Sequence, residues 1–366
     1  MHRTNDMTDE PSSSQGEEIT APIEKKHRSL WRHLRVRRSF FLAVIGLAGL
    51  AWFVCVRMPG KSFDGPAPAA SNPEKLLVVE LTAHLQQFGR VIGARNLENP
   101  RGLEAALTYL ENELASYGYE PLRIPFQVDG QETANLEVEI VGRTLPGEIV
   151  VVGAHYDGFY GGPAANDNGS GTAALLALAR RFAETPCDRT LRFVFFTNEE
   201  PPHFQQETMG SLVYARACRE RKEDIRAMWS LETLGYYSDE ENSQDYPAKI
   251  LRATYPSRGN FVAFVGNLLS STLVRKTVGR FRELSQFPSE GAALPSWMAG
   301  VGWSDHWSFA EVGYDALMVT DTAYFRDPFY HTAKDLPERL DTVSLARVTL
   351  GLVAVLKEFV SGSTEL

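Results

Sequence analysis

Apolar residues recur along the chain at two spacings, which together predict an alternation of strands and helices. Continuous apolar runs predict buried strands at residues 148–155, 190–197, 228–234 and 316–319. Apolar residues at every third or fourth position predict helices at residues 101–118, 171–184, 209–221 and 340–360. Strands that are apolar on both faces and separated by helices are typical of a sheet covered on both sides. We therefore expect an α/β fold.

One apolar run is of a different kind, because it carries no charge and follows a basic stretch. Residues 40–56 are seventeen consecutive uncharged residues, which is at the short end of what spans a bilayer. Seven Lys and Arg residues lie between positions 25 and 38, so the positive-inside rule places the N-terminus in the cytoplasm and the rest of the chain outside it. A cleaved signal peptide is the alternative, although the polar leader of about 38 residues is longer than an ordinary signal.

These features divide the chain into four segments. Residues 1–38 are predicted to be a disordered and basic cytoplasmic tail, and residues 39–57 a transmembrane signal anchor. Residues 58–73 are rich in Pro, Ala and Gly and are predicted to be a linker, which leaves residues 74–366 as the folded domain. The chain is thus expected to be a single-pass membrane protein whose folded domain is periplasmic or extracellular.

Composition and charge narrow the class of protein further. The chain is 43% hydrophobic and 23% charged, which is ordinary for a globular protein. Its net charge is −9, but residues 1–38 hold eight basic and six acidic residues, so the remainder holds 29 basic and 40 acidic residues, a net charge of −11. An acidic body disfavours nucleic-acid binding. Three cysteines are too few for a disulfide scaffold, and whether Cys187 and Cys218 pair in an oxidising compartment stays open.

Polar side chains follow three of the predicted strands, at the point where each strand ends. His155 and Asp157 close the first strand, Glu199 and Glu200 the second, and Glu232 lies within the third. A Gly- and Asn-rich turn at residues 165–171 lies between the first two, and a histidine at position 331 lies in a late loop. In open α/β sheets ligands bind beyond the carboxyl ends of the strands, so these side chains are candidates for one site.

The residue types in this pattern suit a pair of divalent metal ions. Such a pair needs histidine and carboxylate ligands, one of which bridges the ions, and Asp167 lies on a turn without bulky neighbours. Asp157 is placed to hold the second ring nitrogen of His155, and adjacent carboxylates can divide metal binding from proton transfer. Each feature alone has an ordinary explanation, such as a surface histidine, a solvated Glu-Glu pair or a turn. Their joint occurrence in order along the chain favours a metal site.

The same segments resemble a known family. GAHYDGFYGGPAANDNGSGTAALLALAR, FVFFTNEE, SLETLGYYS and SDHWSFAEVGYDALMVTDTAYFRDPFYHTAKD are similar to motifs of the di-zinc exopeptidases, which include bacterial leucyl aminopeptidases and glutamate carboxypeptidase II. The resemblance runs from about residue 96 to the last predicted helix. It implies a three-layer α/β/α sandwich with a twisted mixed sheet, and makes residues 74–366 a zinc-dependent exopeptidase catalytic domain.

The resemblance also implies a role for each candidate residue. The metal ligands would be His155, Asp167, Glu200, Glu232 and His331. His155 and Glu232 would hold one zinc, Glu200 and His331 the second, and Asp167 would bridge them. The catalytic residues would be Glu199, as general base, and Asp157, which would orient His155. Two zinc ions per chain are implied, although cobalt or manganese also suits such ligands.

The function implied is a membrane-anchored aminopeptidase that hydrolyses N-terminal residues of peptides. Arginines that would clamp an acidic side chain, as in the carboxypeptidase members, cannot be assigned, which favours an aminopeptidase. The alternatives are a glutaminyl cyclase of the same fold and a non-catalytic receptor or scaffold. Asp305 and His306 are expected to support the pocket, and His203 to be a surface residue. Aromatic residues are candidates to line the substrate cleft, namely Trp303, Trp307, Tyr324 and Phe325.

Overall fold

The computed structural model describes residues 21–364, with the side chains of residues 31–53 and 55–364. Of the tail predicted for residues 1–38, residues 1–20 lie outside the described range. The described chain divides after Trp52 into an N-terminal unit and a main unit.

The described part of the N-terminal unit belongs to a long helix, α1, Ala21–Cys55, whose last three residues are part of the main unit. The helix continues through the basic stretch, where the sequence predicted a disordered tail, because its Arg and Leu residues are good helix formers. Its segment Trp31–Phe53 is 23 residues long and has the length and apolarity needed to cross a membrane. A signal sequence near an N-terminus meets the same criteria.

The main unit is built on one mixed sheet, which has eight strands within the described residues. The strands are β1 Leu122–Val128, β2 Gln131–Ile140, β3 Leu145–His155, β4 Arg189–Phe196, β5 Asp224–Glu232, β6 Val262–Asn267, β7 Ser289–Leu294 and β8 Ala316–Thr320. Their order across the sheet is β1-β2-β4-β3-β5-β8-β6-β7. The central strands β4, β3, β5 and β8 run parallel, and β6 runs antiparallel to β8.

Helices cover both faces of this sheet. They are α2 Asn72–Gln86, α3 Pro100–Ser116, α4 Gly169–Phe182, α5 Gly210–Glu220, α6 Lys249–Arg252, α7 Ser271–Leu284, α8 His306–Glu311 and α9 Thr342–Phe359, with a π-helical turn at Gln87–Ile92 and 3-10 turns at Ala323–Phe325 and Pro337–Arg339. The larger core packs α2, α3, α4, α7 and α9 against one face, and a smaller core packs α5 and α8 against the other. This confirms the predicted three-layer α/β/α sandwich with a mixed sheet.

The four predicted strands are the four central parallel ones, and the outer strands were missed. β1 and β2 alternate polar and apolar residues in a pattern that includes exposed positions. β6 and β7 are six residues long and each contains a glycine. Short strands with glycine, or strands that are half exposed, give weak sequence signals because neighbours in the sheet supply their stability.

The two buried cysteines lie on opposite faces of the sheet, which answers the question of their pairing. Cys187 packs in the larger core with Val150, and Cys218 packs in the smaller core with Val151. Successive residues of a strand point to opposite faces, so the sheet itself separates the two thiols. Both cysteines are free.

The segment predicted as a linker lies against the main unit where it follows α1. Met58 is buried beside Gly291 of the edge strand β7, and the Arg282 guanidinium donates hydrogen bonds to the carbonyls of Pro59 (3.1 Å) and Gly60 (3.3 Å). The Ser289 amide of β7 donates to Ser62 Oγ at 2.9 Å. Residues 58–62 therefore run along the outer edge of the sheet.

Candidate metal centre

The carboxyl ends of β3, β4 and β5 bring the predicted site residues together. His155 is the last residue of β3 and is fully buried. Its backbone carbonyl accepts a hydrogen bond from Thr172 Oγ1 of α4 at 2.8 Å. Glu232 is the last residue of β5, which is the parallel neighbour of β3. Parallel neighbours end at the same edge of the sheet, so residues 77 positions apart in sequence face each other.

The first group of facing side chains contains His155, Asp167 and Glu232. The Nε2 atom of His155 lies 3.2 Å from Glu232 Oε2 and 3.5 Å from Asp167 Oδ1. Ser304 Oγ donates a hydrogen bond to Glu232 Oε2 at 2.7 Å and fixes the orientation of that carboxylate. All three members of the group are buried.

The second group contains Asp167, Glu200 and His331. The Nε2 atom of His331 lies 2.9 Å from Asp167 Oδ2 and 3.2 Å from Glu200 Oε2. The His331 ring stacks on Phe159, with 4.1 Å between ring centroids, and on Tyr330, with 3.9 Å. Asp167 thus presents one oxygen to each group, as expected of a bridging carboxylate.

The turn that carries Asp167 is held by a second carboxylate. Asp335 accepts hydrogen bonds from the backbone amides of Asn166 (2.7 Å) and Asp167 (3.0 Å). The next residue, Asn168, caps α4 by accepting from the Gly171 amide at 3.1 Å, and it donates to the Leu231 carbonyl of β5 at 2.8 Å. The turn is therefore tied both to the His331 loop and to the strand that carries Glu232.

Asp157 connects His155 with the adjacent pair Glu199 and Glu200. Its carboxylate accepts the backbone amides of Glu199 and Glu200, each at 3.2 Å. The Asp157 Oδ1 atom also lies 3.4 Å from His155 Nδ1. The sequence predicted the contact with the histidine, whereas the bonds to the Glu199-Glu200 backbone had no signal in it. A role of Asp157 in orienting His155 remains a proposal.

Several buried polar atoms in these groups have no hydrogen-bond partner. They are both ring nitrogens of His155, Asp167 Oδ2, Glu200 Oε1 and His331 Nε2. Burying such an atom without a partner costs free energy, because it loses its hydrogen bonds to water. The Nε2 atoms of His155 and His331 nevertheless lie within 3.5 Å of carboxylate oxygens in their groups, without hydrogen-bond geometry. Nitrogen and oxygen donors that converge in this way fit a divalent cation shared by each group.

The electrostatics of the cluster also favour a cation. Burial raises the pKa of Glu199 and Glu232 above the usual range and that of Glu200 to about 8. Burial alone would lower the pKa of His331, but the carboxylates of Asp167 and Glu200 raise it to about 10. The buried carboxylates therefore require positive charge nearby, which protons or metal ions can provide.

Other residues singled out in the sequence lie around these groups. Asp305 is buried, and burial raises its pKa to about 7, yet it belongs to neither group. His203 lies outside both groups, half-buried, with its Nδ1 2.9 Å from Thr208 Oγ1. Trp303, Tyr324 and Phe325 line a cavity next to Glu232, whereas Trp307 does not.

A sequence comparison decides the family. A sequence model described as Peptidase family M28 matches residues 135–356, which include every residue of both groups. The chain belongs to peptidase family M28. This match confirms the resemblance to zinc exopeptidases and makes a peptidase-type hydrolase the general class of the protein.

Two relatives show how far the M28 match extends. The chain is 29% identical over 329 residues to the uncharacterized protein YfbL of Escherichia coli strain K12, covering 88% of this chain and 99% of that protein. It is 25% identical over 240 residues to YDR415C of Saccharomyces cerevisiae, a probable aminopeptidase, covering 62% of this chain and 57% of that protein. The chain therefore spans nearly all of the first relative and little more than half of the second.

Solved structures of two kinds share the M28 fold. The zinc aminopeptidase BSAP from Bacillus subtilis has a TM-score of 0.63 at 15% identity, covering 79% of this chain and 96% of that chain. The glutaminyl cyclase of Fimbriiglobus ruber has a TM-score of 0.57 at 18% identity, covering 82% of this chain and 99% of that chain. At such identities the likeness shows the fold alone.

Arg95 supports the M28 site and had no signal in the sequence. It is fully buried and donates from Nε to the Tyr156 carbonyl (2.7 Å), from Nη1 to Pro163 (2.9 Å) and from Nη2 to Ala164 (2.7 Å). It thus joins the end of β3 to the loop that leads to Asp167. Nothing in the sequence distinguishes Arg95 from the other arginines, because its partners are backbone carbonyls that only the fold brings close to it.

Replacing Arg95 with Met should destabilise the domain by about 3 kcal/mol, because several buried carbonyls would lose a charged donor. The matched control is Arg90→Met, since Arg90 pairs with Glu338 on the surface and should cost under about 1 kcal/mol. Urea unfolding of both variants measures the difference. Equal stability of the two variants would contradict the structural role of Arg95.

Proposed function

We propose that this chain is a membrane-anchored aminopeptidase that binds two zinc ions. His155, Asp167 and Glu232 would hold one ion, and Asp167, Glu200 and His331 the other. The observation that carries the proposal is the pair of ligand groups that share Asp167 and leave buried donor atoms without partners. The M28 match and the relatives named as aminopeptidases support it.

The reaction proposed is hydrolysis of the peptide bond that follows the N-terminal residue. When bound, zinc supplies Lewis-acid chemistry that polarises a peptide carbonyl and lowers the pKa of water. Glu199 belongs to neither ligand group and lies buried, with Oε2 3.8 Å from His155 Nε2. Burial raises its pKa, so it can take a proton from water and return it to the leaving amine. Asp157 holds its backbone amide at 3.2 Å and so positions the base.

Metal removal should destabilise the domain, because a bound ion stabilises only the folded state. We expect chelation to lower Tm by about 5–10 °C, the shift that corresponds to metal present at roughly a hundredfold its Kd. Zinc should restore Tm, whereas magnesium should not, because histidine ligands suit zinc better. Thermal scans with metal analysis provide the measurement. An unchanged Tm after complete loss of metal would contradict the proposed centre.

A cavity beside the metal centre suggests the kind of residue that is removed. It is partly open to solvent, and its lining includes Glu232 and Tyr330 at the site and Phe261, Ala292 and Leu294 farther away. Its walls are mainly apolar and aromatic side chains, which suits a large apolar N-terminal side chain. We therefore propose a preference for such residues over small or acidic ones.

Filling this cavity should change specificity without changing the chemistry. Ala292→Phe should lower kcat/KM for a phenylalanyl-arylamide about 10-fold or more, while an alanyl-arylamide should be affected much less. Ala253→Phe is the matched control, because Ala253 is exposed and lies outside the cavity lining. An equal loss for both substrates would show that the cavity does not hold the N-terminal side chain.

Two other functions are open to direct test. A glutaminyl cyclase shares the fold, but the complete pair of ligand groups favours two metal ions, whereas the resemblance implies one catalytic zinc in cyclases. A non-catalytic homologue would be expected to have replaced ligands, and none is replaced here. A panel of aminoacyl-arylamides and N-terminal glutaminyl peptides, with metal analysis, separates the three. One zinc per chain with cyclase activity alone, or inactivity when metal-loaded, would reject the aminopeptidase.

The topology proposed for the chain follows its charge distribution. The basic stretch before the apolar segment would stay in the cytoplasm, and the M28 domain would lie in the periplasm or outside the cell. The helix Trp31–Phe53 provides the candidate span.

A further inference from the structure

A set of exposed apolar side chains lies at one end of the outer strands β6 and β7. Leu269 is 83% exposed and Trp297 is 81% exposed. Leu268 and Leu269 directly follow β6, whose last residue, Asn267, pairs with the last residue of β7, Leu294. Trp297 follows three residues later, so these side chains share one end of the strand pair. Ile250 of α6 is exposed and precedes Leu251, which clusters with Leu294. We call Ile250, Leu268, Leu269 and Trp297 the apolar rim.

Residues 53–57 of the main unit, which include the last residues of α1, lie near this rim. Cys55 packs against a cluster that contains Leu251 and Leu294, the neighbours of rim residues. Arg275 of α7 donates hydrogen bonds to the carbonyls of Phe53 (3.0 Å) and Arg57, and its guanidinium lies 5.1 Å from the centre of the Phe53 ring. Helix α7 begins two residues after Leu269. The rim therefore lies near the point where the chain leaves the candidate membrane helix.

The charges near the rim match an anionic lipid surface. Arg57 and Lys249 are exposed, and each adjoins the apolar residues just described. Trp residues concentrate where hydrocarbon meets headgroups, and Lys and Arg side chains reach from there to lipid phosphates. A soluble domain rarely exposes grouped large apolar side chains without a partner.

We propose that the apolar rim inserts into the surface of the same bilayer that α1 crosses. This inference rests on the proposed membrane anchoring, and it adds a second membrane contact made by the folded domain. The partner is the headgroup region of an anionic bilayer, because the rim adjoins the end of the candidate span and carries basic residues around it.

The strand directions give this contact a consequence for the active site. β6 runs antiparallel to β8, so its last residue lies at the opposite edge of the sheet from Thr320 and Glu232. Six residues of strand span about 20 Å. A domain seated on the rim therefore directs its metal centre away from the bilayer, toward peptides in solution.

The test uses the full chain in vesicles of equal parts phosphatidylcholine and phosphatidylglycerol. Single cysteines are introduced as Leu269→Cys and Trp297→Cys and are then spin-labelled. The background carries Cys55→Ser only, because Cys187 and Cys218 are buried and should not react with the label. Leu47→Cys reports on the span and Leu122→Cys, on the opposite edge strand β1, reports on water; both positions are exposed. Accessibility to oxygen and to a water-soluble nickel complex measures the environment of each label.

We expect the oxygen-to-nickel ratio at positions 269 and 297 to resemble that at 47 rather than that at 122. Ratios at 269 and 297 equal to that at 122 would overturn the rim proposal, while a lipid-like value at 47 would leave the anchor intact. Protection of 269 and 297 from both reagents would also overturn it, in favour of a contact with a second copy. A water-like value at 47 would reject the anchor, and with it the proposal that the rim shares a bilayer with α1, whatever the values at 269 and 297.

Discussion

Glu199→Ala should retain both metal ions and lose about 10²–10⁴-fold in kcat, the usual contribution of a general acid–base group. The carboxylate lies outside both ligand groups, so its removal leaves the proposed metal ligands in place. It is buried beside His155, with its backbone amide held by Asp157. Steady-state kinetics with an aminoacyl-arylamide, together with metal analysis, measures the effect.

The adjacent residue provides the contrast. Glu200→Ala should lose metal as well as activity, because Glu200 Oε2 lies 3.2 Å from His331 Nε2 within the second ligand group. Two neighbouring glutamates, whose backbone amides are held by the same Asp157 side chain, would then give different outcomes. Near-normal turnover of Glu199→Ala, or equal metal loss in both variants, would show that the division of roles is wrong.

His331→Ala should release about half of the bound metal and reduce activity by more than about 100-fold. Its Nε2 is one of three donors in the second group and has no hydrogen-bond partner. Loss of a residue that only supports a metal ligand typically costs 10–100-fold in affinity or activity, so loss of a direct ligand should cost more. Metal content per chain, measured by mass spectrometry after dialysis, gives the stoichiometry.

His203→Ala is the matched control for this variant. His203 lies three residues after Glu200 but belongs to neither group, and its ring contacts Thr208. The control should keep its full metal content and most of its activity. If His203→Ala lost metal while His331→Ala retained it, the assignment of the second site would have to be abandoned.

The centre of the fold and the residues of the site could be predicted because their signals are local. β3, β4, β5 and β8 are apolar on both faces, and polar residues stand where the first two end. Parallel strands then bring His155 and Glu232 together without knowledge of any loop. His331 lies outside any strand, and its role as a ligand of the second ion came only from the resemblance to the family.

The supports of the site could not be predicted, because each depends on a contact between distant segments. Asp335 holds the amide of Asp167 from 168 residues away, and Arg95 reaches the Ala164 carbonyl across 69 residues. A carboxylate or guanidinium that binds backbone groups produces no recognisable spacing in the sequence. Its partners are backbone amides and carbonyls, and nearly every residue carries these same groups. The two outer strand pairs were missed for a related reason, because their partners rather than their composition stabilise them.

The course of residues 58–62 along β7 affects how the domain can be released from its helix. An open strand edge offers unpaired amide and carbonyl groups to other chains and promotes aggregation. Met58 and Ser62 shield part of that edge. A protease that cut after residue 62 would uncover a template for intermolecular pairing, whereas a cut before Met58 would shed a domain that keeps its own protective cover.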